Sequence, residues 1–187
     1  EKMSEYDFML KRIEKLIIDV PDFPKPGITF KDITPLLQDQ AELKSLMRMQ
    51  ARWIKKNGRD FDKIVAIESR GFIFGSLLAL ETGLPLVLAR KAGKLPRETV
   101  SATYGLEYGN DKIEIHKDDI ERDEHILIVD DVLATGGTAT AVANIVDEIG
   151  GHVAGFWFLM KINGLDGHDT LVNETGVDDS DIDVVLH

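Results

Sequence analysis

Strand-length apolar runs alternate with helix-length stretches through the middle of the chain, and this constrains the fold more than any other feature. The runs are 63–67, 84–89, 125–130 and 152–160; helical patterning fills 72–82 and 138–149, the latter stopped by Gly150-Gly151 as a C-terminal cap. Strands separated by helices line up in parallel and are covered on both faces. The expected fold class is therefore α/β, a mainly parallel sheet with helices on both faces. Two more strands, 103–108 and 112–116, are expected as a hairpin around Gly109-Asn110. Segment 5–18 reads as an amphipathic helix with Phe8, Ile13, Leu16 and Ile17 on one side. Four prolines (Pro21, Pro24, Pro26, Pro35) and Gly27 make the next stretch an ordered, Pro-rich flap. Asp39 with Glu42 marks a helix start, and the stripe Leu43, Leu46, Met47, Trp53, Ile54 carries that helix to Asn57-Gly58.

A chain of 187 residues without repeats or linkers is expected to form one domain, 1–187. It divides into an N-terminal helix and flap (1–36), an α/β core (37–160) and an acidic C-terminal segment (161–187). Net charge is −11, but seven acids and no Lys or Arg lie from Ile162 onward, so the remaining body carries only −4. This balance argues against nucleic acid as a partner, because phosphate-backbone binding needs a basic footprint. The absence of cysteine excludes disulfides, thiolate catalysis and cysteine-ligated metals. No apolar run approaches the roughly 18 residues of a membrane span. The N-terminal segment has no signal-peptide layout, so a cytoplasmic protein is expected. The five histidines show no zinc-binding spacing, and Trp53 and Trp157 read as core residues.

In open α/β sheets ligands bind beyond the carboxyl ends of the strands, which here means after Ile67, Ala89 and Val129. The strongest chemical signal follows the third. An apolar strand (126–129) ends in Asp130 and Asp131, and Ala134-Thr135-Gly136-Gly137-Thr138 then turns into a helix. Glycines permit close backbone approach, opening-turn amides aim at an anion, and the threonines add hydroxyl donors. The loop reads as a phosphate cradle that needs no lysine, with Asp130 and Asp131 placed to accept hydrogen bonds from vicinal sugar hydroxyls. Taken singly, Gly-Gly is a turn and a strand-end acid a helix cap; paired acids also bind magnesium in phospho-acceptor domains. Neither GxxxxGK[ST] nor GxGxxG is present.

Residues 126–138 resemble the signature of the type I phosphoribosyltransferases, which bind 5-phosphoribosyl 1-pyrophosphate. Three stretches narrow the resemblance to the adenine-specific members: 21–34 with Pro24-Lys25-Pro26-Gly27-Ile28-Thr29-Phe30-Lys31-Asp32, then Glu68-Ser69-Arg70-Gly71-Phe72, then Arg90-Lys91 with Gly93-Lys94-Leu95-Pro96. Leu106-Glu107-Tyr108-Gly109 agrees in order and spacing. The resemblance covers about residues 8–160 and leaves out the acidic tail.

The resemblance implies that Ala134, Thr135, Gly136, Gly137 and Thr138 hold the 5′-phosphate, and Asp130 and Asp131 the ribose hydroxyls. It makes Glu68, Ser69, Arg70 and Gly71 the pyrophosphate loop, with a strained turn at Gly71 and the Arg70 guanidinium facing the leaving group. The plainer alternative pairs Arg70 with Glu68. Lys91 and Lys94, in a basic stretch with Arg90 and Arg97, are placed near pyrophosphate; the alternative is a solvated charged face. Residues 99–107 would be a mobile lid hairpin, with Glu107 the acid/base at the purine and Tyr108 in the substrate-binding set. The flap would bind the base, Phe30 stacking on adenine and backbone groups at Thr29 and Lys31 reading its amino edge. Thr29 and Lys31 depart from the family's aliphatic residue and arginine; lysine keeps the charge and loses the planar fork.

The implied reaction transfers the phosphoribosyl group to N9 of adenine, giving AMP and pyrophosphate. Mg²⁺ would be held mainly through substrate oxygens, and a homodimer is expected. Two alternatives stay open: a transferase for another base, and a non-catalytic regulator that senses phosphoribosyl pyrophosphate. A magnesium-dependent phospho-acceptor domain is more remote, because it leaves 134–138 without a role.

Overall fold

Residues 64–67 contain no polar side chain, and all four are buried, so their strand is covered on both faces. A computed structural model of the protein describes residues 3–56, 60–106 and 109–187. The strand is β3 (Lys63–Ile67), in chain order after β1 (Ile18–Val20) and β2 (Phe30–Asp32), which form a separate two-stranded sheet. Strands β4 (Leu86–Lys91) and β7 (His125–Leu133) flank β3 in parallel, with Val65 opposite Val87 and Ile128. β8 (His152–Lys161) and β9 (Ile182–Leu186) extend the parallel array beyond β7. On the other side, β5 (Thr99–Leu106) and β6 (Gly109–His116) add an antiparallel hairpin, giving the order β5-β6-β4-β3-β7-β8-β9.

The strand alternation sorts side chains between two cores. Along β7, Leu127 and Val129 pack with α1 (Glu5–Lys15), α2 (Thr34–Gln38), α3 (Gln40–Lys56) and α4 (Gly71–Thr82). Ile126 and Ile128 face the opposite way, among residues of α5 (Gly137–Ile149) and α6 (Gly167–Thr175). The mainly parallel sheet with helices on both faces is as the alternation requires.

Four local expectations are corrected. In α1 the buried pair is Met9 and Ile13, while Phe8 is 53% exposed. Positions four apart share a helix face, whereas Phe8 lies about 140° around from Ile13. Trp53, at the margin of the α3 stripe, is 52% exposed and donates from Nε1 to Asp183 Oδ1 (3.3 Å). Trp157, by contrast, is fully buried and donates to Gln50 Oε1 at 3.1 Å. In the hairpin Leu106 pairs with Gly109 and Gly105 with Asn110, so Gly109-Asn110 belongs to a strand and is not the turn. The apolar cross-strand pairs Val100–Ile115 and Ala102–Ile113 hold that register.

The C-terminal segment is no tail. It supplies α6 and β9, whose Leu171, Ile182, Val185 and Leu186 are buried, and its acids ride on a folded layer. The flap contains a two-stranded sheet in which Asp19 lies opposite Lys31, and their side chains pair at 2.6 Å. Its loop turns at Gly27 (φ +86), whose N–H donates to Asp22 Oδ1 at 2.8 Å.

Candidate active site

Because β4, β3 and β7 are parallel neighbours, the segments after Ile67, Lys91 and Leu133 emerge on one edge of the sheet. The four apolar residues 126–129 anchor β7 in the core, and Asp130 and Asp131 follow within the same strand, which continues past the expected end to the buried Leu133. Asp131 is 3% exposed, and its N–H donates to Asp130 Oδ1 at 2.8 Å. Burial, and then the Asp131 charge beside it, push the Asp130 carboxyl well above the ordinary carboxylate range. Arg70 Nε lies 2.7 Å from Asp131 Oδ2, close enough for charge pairing. The contact lacks hydrogen-bond direction, and Asp131 Oδ2 is a buried acceptor without a hydrogen-bond donor among the described residues. An oxygen so placed is suited to a ligand hydroxyl.

The turn after β7 has the geometry of an anion cradle. Gly136 sits at φ +85 as the N-cap of α5, and no side chain caps that helix. The Gly137 N–H donates a long bond to Thr135 Oγ1 (3.4 Å), and the other opening amides and the helix dipole are available to a phosphate. Thr135 is exposed at the rim, with Ala134, Gly137 and Thr138 completing the turn. The back of the loop rests on the start of α6. A Cβ on Gly136 would lie 2.9 Å from Gly167 O, and a Cβ on Gly167 only 2.2 Å from Ala134 O. Gly167 is thus a supporting residue that the sequence reading missed. Its one local signal was the turn-forming run Gly164-Leu165-Asp166-Gly167.

The 68–71 loop approaches β7 from above, and its Glu68–Ser69 peptide is cis. Gly71 begins α4 with a helical backbone, so the expected strained turn is absent. Its glycine is required by proximity: a Cβ there would lie 2.9 Å from Asp130 Oδ1 and 3.0 Å from Val129 O. Arg70 does not pair with Glu68. It reaches Asp131, and its Cζ lies 4.9 Å from the Phe30 ring centroid, so the guanidinium joins the flap to the strand end. Glu68 instead accepts from Arg90 Nε (2.9 Å) and the Lys91 N–H (3.3 Å). Ser69 is exposed at the tip.

The basic stretch divides in two. Arg90 is held by Glu68 and Arg97 by Asp119 (2.7 Å), whereas Lys91 and Lys94 face solvent, with Asp111 3.9 Å from Lys91 Nζ. On the hairpin, burial and the bond to Asp111 push the Tyr104 phenol up to about 12, so it stays a neutral donor. Glu107 and Tyr108 lie outside the described residues. On the flap, Phe30 packs edge-on against Phe23 (5.4 Å) beneath Arg70. Thr29 and Lys31 border a cavity of about 510 Å³ that continues to Met160, Ile162 and Asn163 at the end of β8. Among the described residues no group of three or more His, Asp or Glu side chains is arranged to hold a metal ion. None of the described helices is long and apolar enough to cross a membrane.

The phosphoribosyl transferase domain family matches residues 33–182, past Met160 and through α6, so the likeness runs further than the motifs implied. The adenine phosphoribosyltransferase of Butyrivibrio fibrisolvens is 46% identical over 162 residues, covering 87% of this chain and 89% of that protein. That of Geotalea daltonii is 46% identical over 163 residues, covering 87% and 94%. Among solved structures, adenine phosphoribosyltransferase from Thermoanaerobacter pseudethanolicus superposes with a TM-score of 0.87 at 46% identity, covering 95% of this chain and 98% of that one. The Saccharomyces cerevisiae enzyme, complexed with D-2,5-dideoxy-2,5-imino-altritol 1,6-bisphosphate and adenine, gives 0.86 at 32% identity, covering 96% and 99%. A family model matched over residues 33–182, together with relatives 46% identical and matched along nearly their full length, leads to one conclusion: the chain belongs to the phosphoribosyltransferase family, within its adenine phosphoribosyltransferases.

Proposed function

We propose that the protein transfers the 5-phosphoribosyl group of 5-phosphoribosyl 1-pyrophosphate to N9 of adenine, releasing pyrophosphate and forming AMP. The carrying observation is the uncapped α5 turn above Asp130 and Asp131, with Phe30 of the flap brought to the same edge by Arg70. The 5′-phosphate would sit on 134–138, and the ribose hydroxyls would donate to Asp130 and Asp131. Pyrophosphate would lie between the 68–71 loop and Lys91 and Lys94. Adenine would stack on Phe30, with the backbone at Thr29 and Lys31 reading its amino edge beside the 510 Å³ cavity.

The C1–pyrophosphate bond breaks early, leaving a sugar with oxocarbenium character. The N9 lone pair then forms the new bond, and the proton leaving the purine passes to Glu107. Catalysis is mostly positioning and electrostatics, since the chain contributes no nucleophile of its own. Oxygen donors at Asp130 and Asp131 suit a hard cation brought in on substrate oxygens. Mg²⁺ bound in that way neutralises charge on the pyrophosphate. Closure of the 99–107 lid, which includes strand β5, would exclude water from the activated sugar. Residues 1–187 would act as one catalytic unit, in the cytoplasm.

The test is pyrophosphate release with phosphoribosyl pyrophosphate, Mg²⁺ and single bases. Release with adenine is expected. No release with adenine overturns the proposal: release with a different base would reassign the specificity, and binding without release would make the protein a sensor.

A homodimer is supported by α4, whose twelve residues include one charge, Glu81. Leu80 is 81% exposed on it, near the half-buried Ile73 and Leu77. An exposed apolar helix face of this kind is suited to a second copy of the chain. Sedimentation should show a dimer at micromolar concentration, shifted to monomer by Leu80→Asp. A wild-type monomer would overturn this assembly.

A further inference from the structure

Strand β6 carries two polar side chains that the reaction above does not use. Its Ile113 and Ile115 point into the core, so Glu114 and His116 share the opposite face. Both spend their hydrogen-bonding capacity on the backbone and side chains of 92–99, the segment that presents Lys94. Glu114 Oε1 accepts from the Gly93 N–H (2.7 Å), and Oε2 from the Thr99 hydroxyl (2.8 Å). These two bonds hold the Glu114 carboxyl below the usual carboxylate range, the Gly93 amide contributing most. His116 Nε2 accepts from the Arg97 N–H at 3.2 Å. His116 Nδ1 lies 3.2 Å from Asp119 Oδ2 and 3.0 Å from Arg97 Nη2, which itself donates to Asp119 Oδ1 (2.7 Å), so the three side chains form one cluster. Two backbone bonds complete the attachment, Ala92 N–H to Lys112 O (3.1 Å) and Lys117 N–H to Glu98 O (2.9 Å).

The segment is thus fastened on both sides of a short tip, Lys94-Leu95-Pro96, and Gly93 at φ +82 makes the turn into it. Lys91 joins at the other end, its N–H on Glu68 of the 68–71 loop. Nothing in the segment is helix or strand before Thr99, so its conformation is set by these attachments.

We propose that Glu114 and His116 are positioning residues that hold Lys91 and Lys94 in register with the pyrophosphate of the sugar substrate. This rests on the reading above that the two lysines meet pyrophosphate. A misplaced cation weakens binding of the polyanion without touching the base site.

The experiment is steady-state kinetics on Glu114→Ala, His116→Leu and His116→Gln, with Lys91→Ala and Lys94→Ala as reference variants. Glu114→Ala and His116→Leu are expected to raise KM for phosphoribosyl pyrophosphate roughly tenfold, with KM for adenine changed less than about twofold. His116→Gln keeps an acceptor near the Nε2 position and should restore KM to within about twofold of wild type. In a Lys94→Ala background, Glu114→Ala should add little, as expected when both act through one contact. If the lysine variants raise KM and the β6 variants do not, or if both KM values rise together, the positioning role is overturned. If the lysine variants themselves leave KM unchanged, the pyrophosphate reading falls first and the positioning role falls with it.

Discussion

Gly71→Ala is expected to lower kcat/KM at least about 100-fold and to destabilise the protein by about 2 kcal/mol, although it adds a single methyl group. Its backbone is helical, so the cause is space rather than torsion. The new Cβ would meet Asp130 Oδ1 at 2.9 Å, Val129 O at 3.0 Å and the Asp130 Cα at 3.2 Å. Two of those three atoms are backbone of β7, a strand buried on both faces, and cannot move aside alone. Either α4 retreats from the sheet or the carboxyl end of β7 shifts, and both movements carry proposed binding groups out of position. Denaturant unfolding and steady-state kinetics measure the two effects. Gly105→Ala, where a Cβ meets nothing within 4 Å, is the stability control. Wild-type kinetics and stability in Gly71→Ala would show that the two loops are not held together at this point.

Asp130→Asn is expected to separate stability from function. The folded state raises the Asp130 pKa, chiefly by burial and next by the charge of Asp131. Below the unfolded value of about 3.9, both states hold the proton and burial of this group carries no charge penalty. As pH rises from there through the raised folded value, the unfolded chain ionises freely while the native state resists, so native stability falls. Asparagine cannot ionise and keeps an acceptor for the Asp131 N–H, which the carboxylate takes at 2.8 Å. The variant should therefore be more stable than wild type at pH 7–8, by about 1 kcal/mol, with the difference shrinking toward pH 4. Activity should move the opposite way, kcat/KM falling roughly 10- to 100-fold as a charged acceptor for the ribose is lost. Thermal unfolding across that pH range, without substrate, reads the first effect. A variant less stable than wild type at pH 8 would mean that the carboxylate is welcomed by the fold.

Both substitutions act at one junction, and its parts differ in how readable they were. Asp130, Asp131 and the 134–138 turn stood out because their chemistry is local: an apolar strand, two acids and a glycine turn occupy thirteen consecutive residues. The glycine at position 71 was equally visible, yet its reason was misjudged. A local reading suggested strain, whereas the constraint is a strand end some 60 positions later. The plainer alternative that pairs Arg70 with Glu68 fails for the same cause. Glu68 is the neighbour of Arg70 in sequence, but the turn that links the end of β3 at Ile67 to the start of α4 at Gly71 points the guanidinium toward Asp131 and leaves Glu68 to Arg90.

The acidic C-terminus shows the same limit. Composition made it look detached, because its seven acids are unmatched by any Lys or Arg. Its apolar residues are fewer but reach both cores, Leu171 and Ile182 on one face of the sheet and Val185 and Leu186 on the other, so α6 closes over the 134–138 turn through Gly167 and β9 finishes the sheet. Hydrophobic spacing, not charge balance, decided that segment.

Sequence by itself determined the α/β class and singled out the candidate site beside the strand ends and the glycine turn proposed for phosphate, since each follows from periodicity or chemistry within one short window. Only the tertiary structure decided which distant groups meet: Arg70 with Asp131 and Phe30, Gly71 with Val129, Gly167 with Ala134, and β6 with the basic segment. Burial pattern constrains which face a residue turns inward, but contact across the sheet depends on strand order and on backbones approaching to within a methyl group. Those quantities arise when the layers pack, and no single window of sequence contains them.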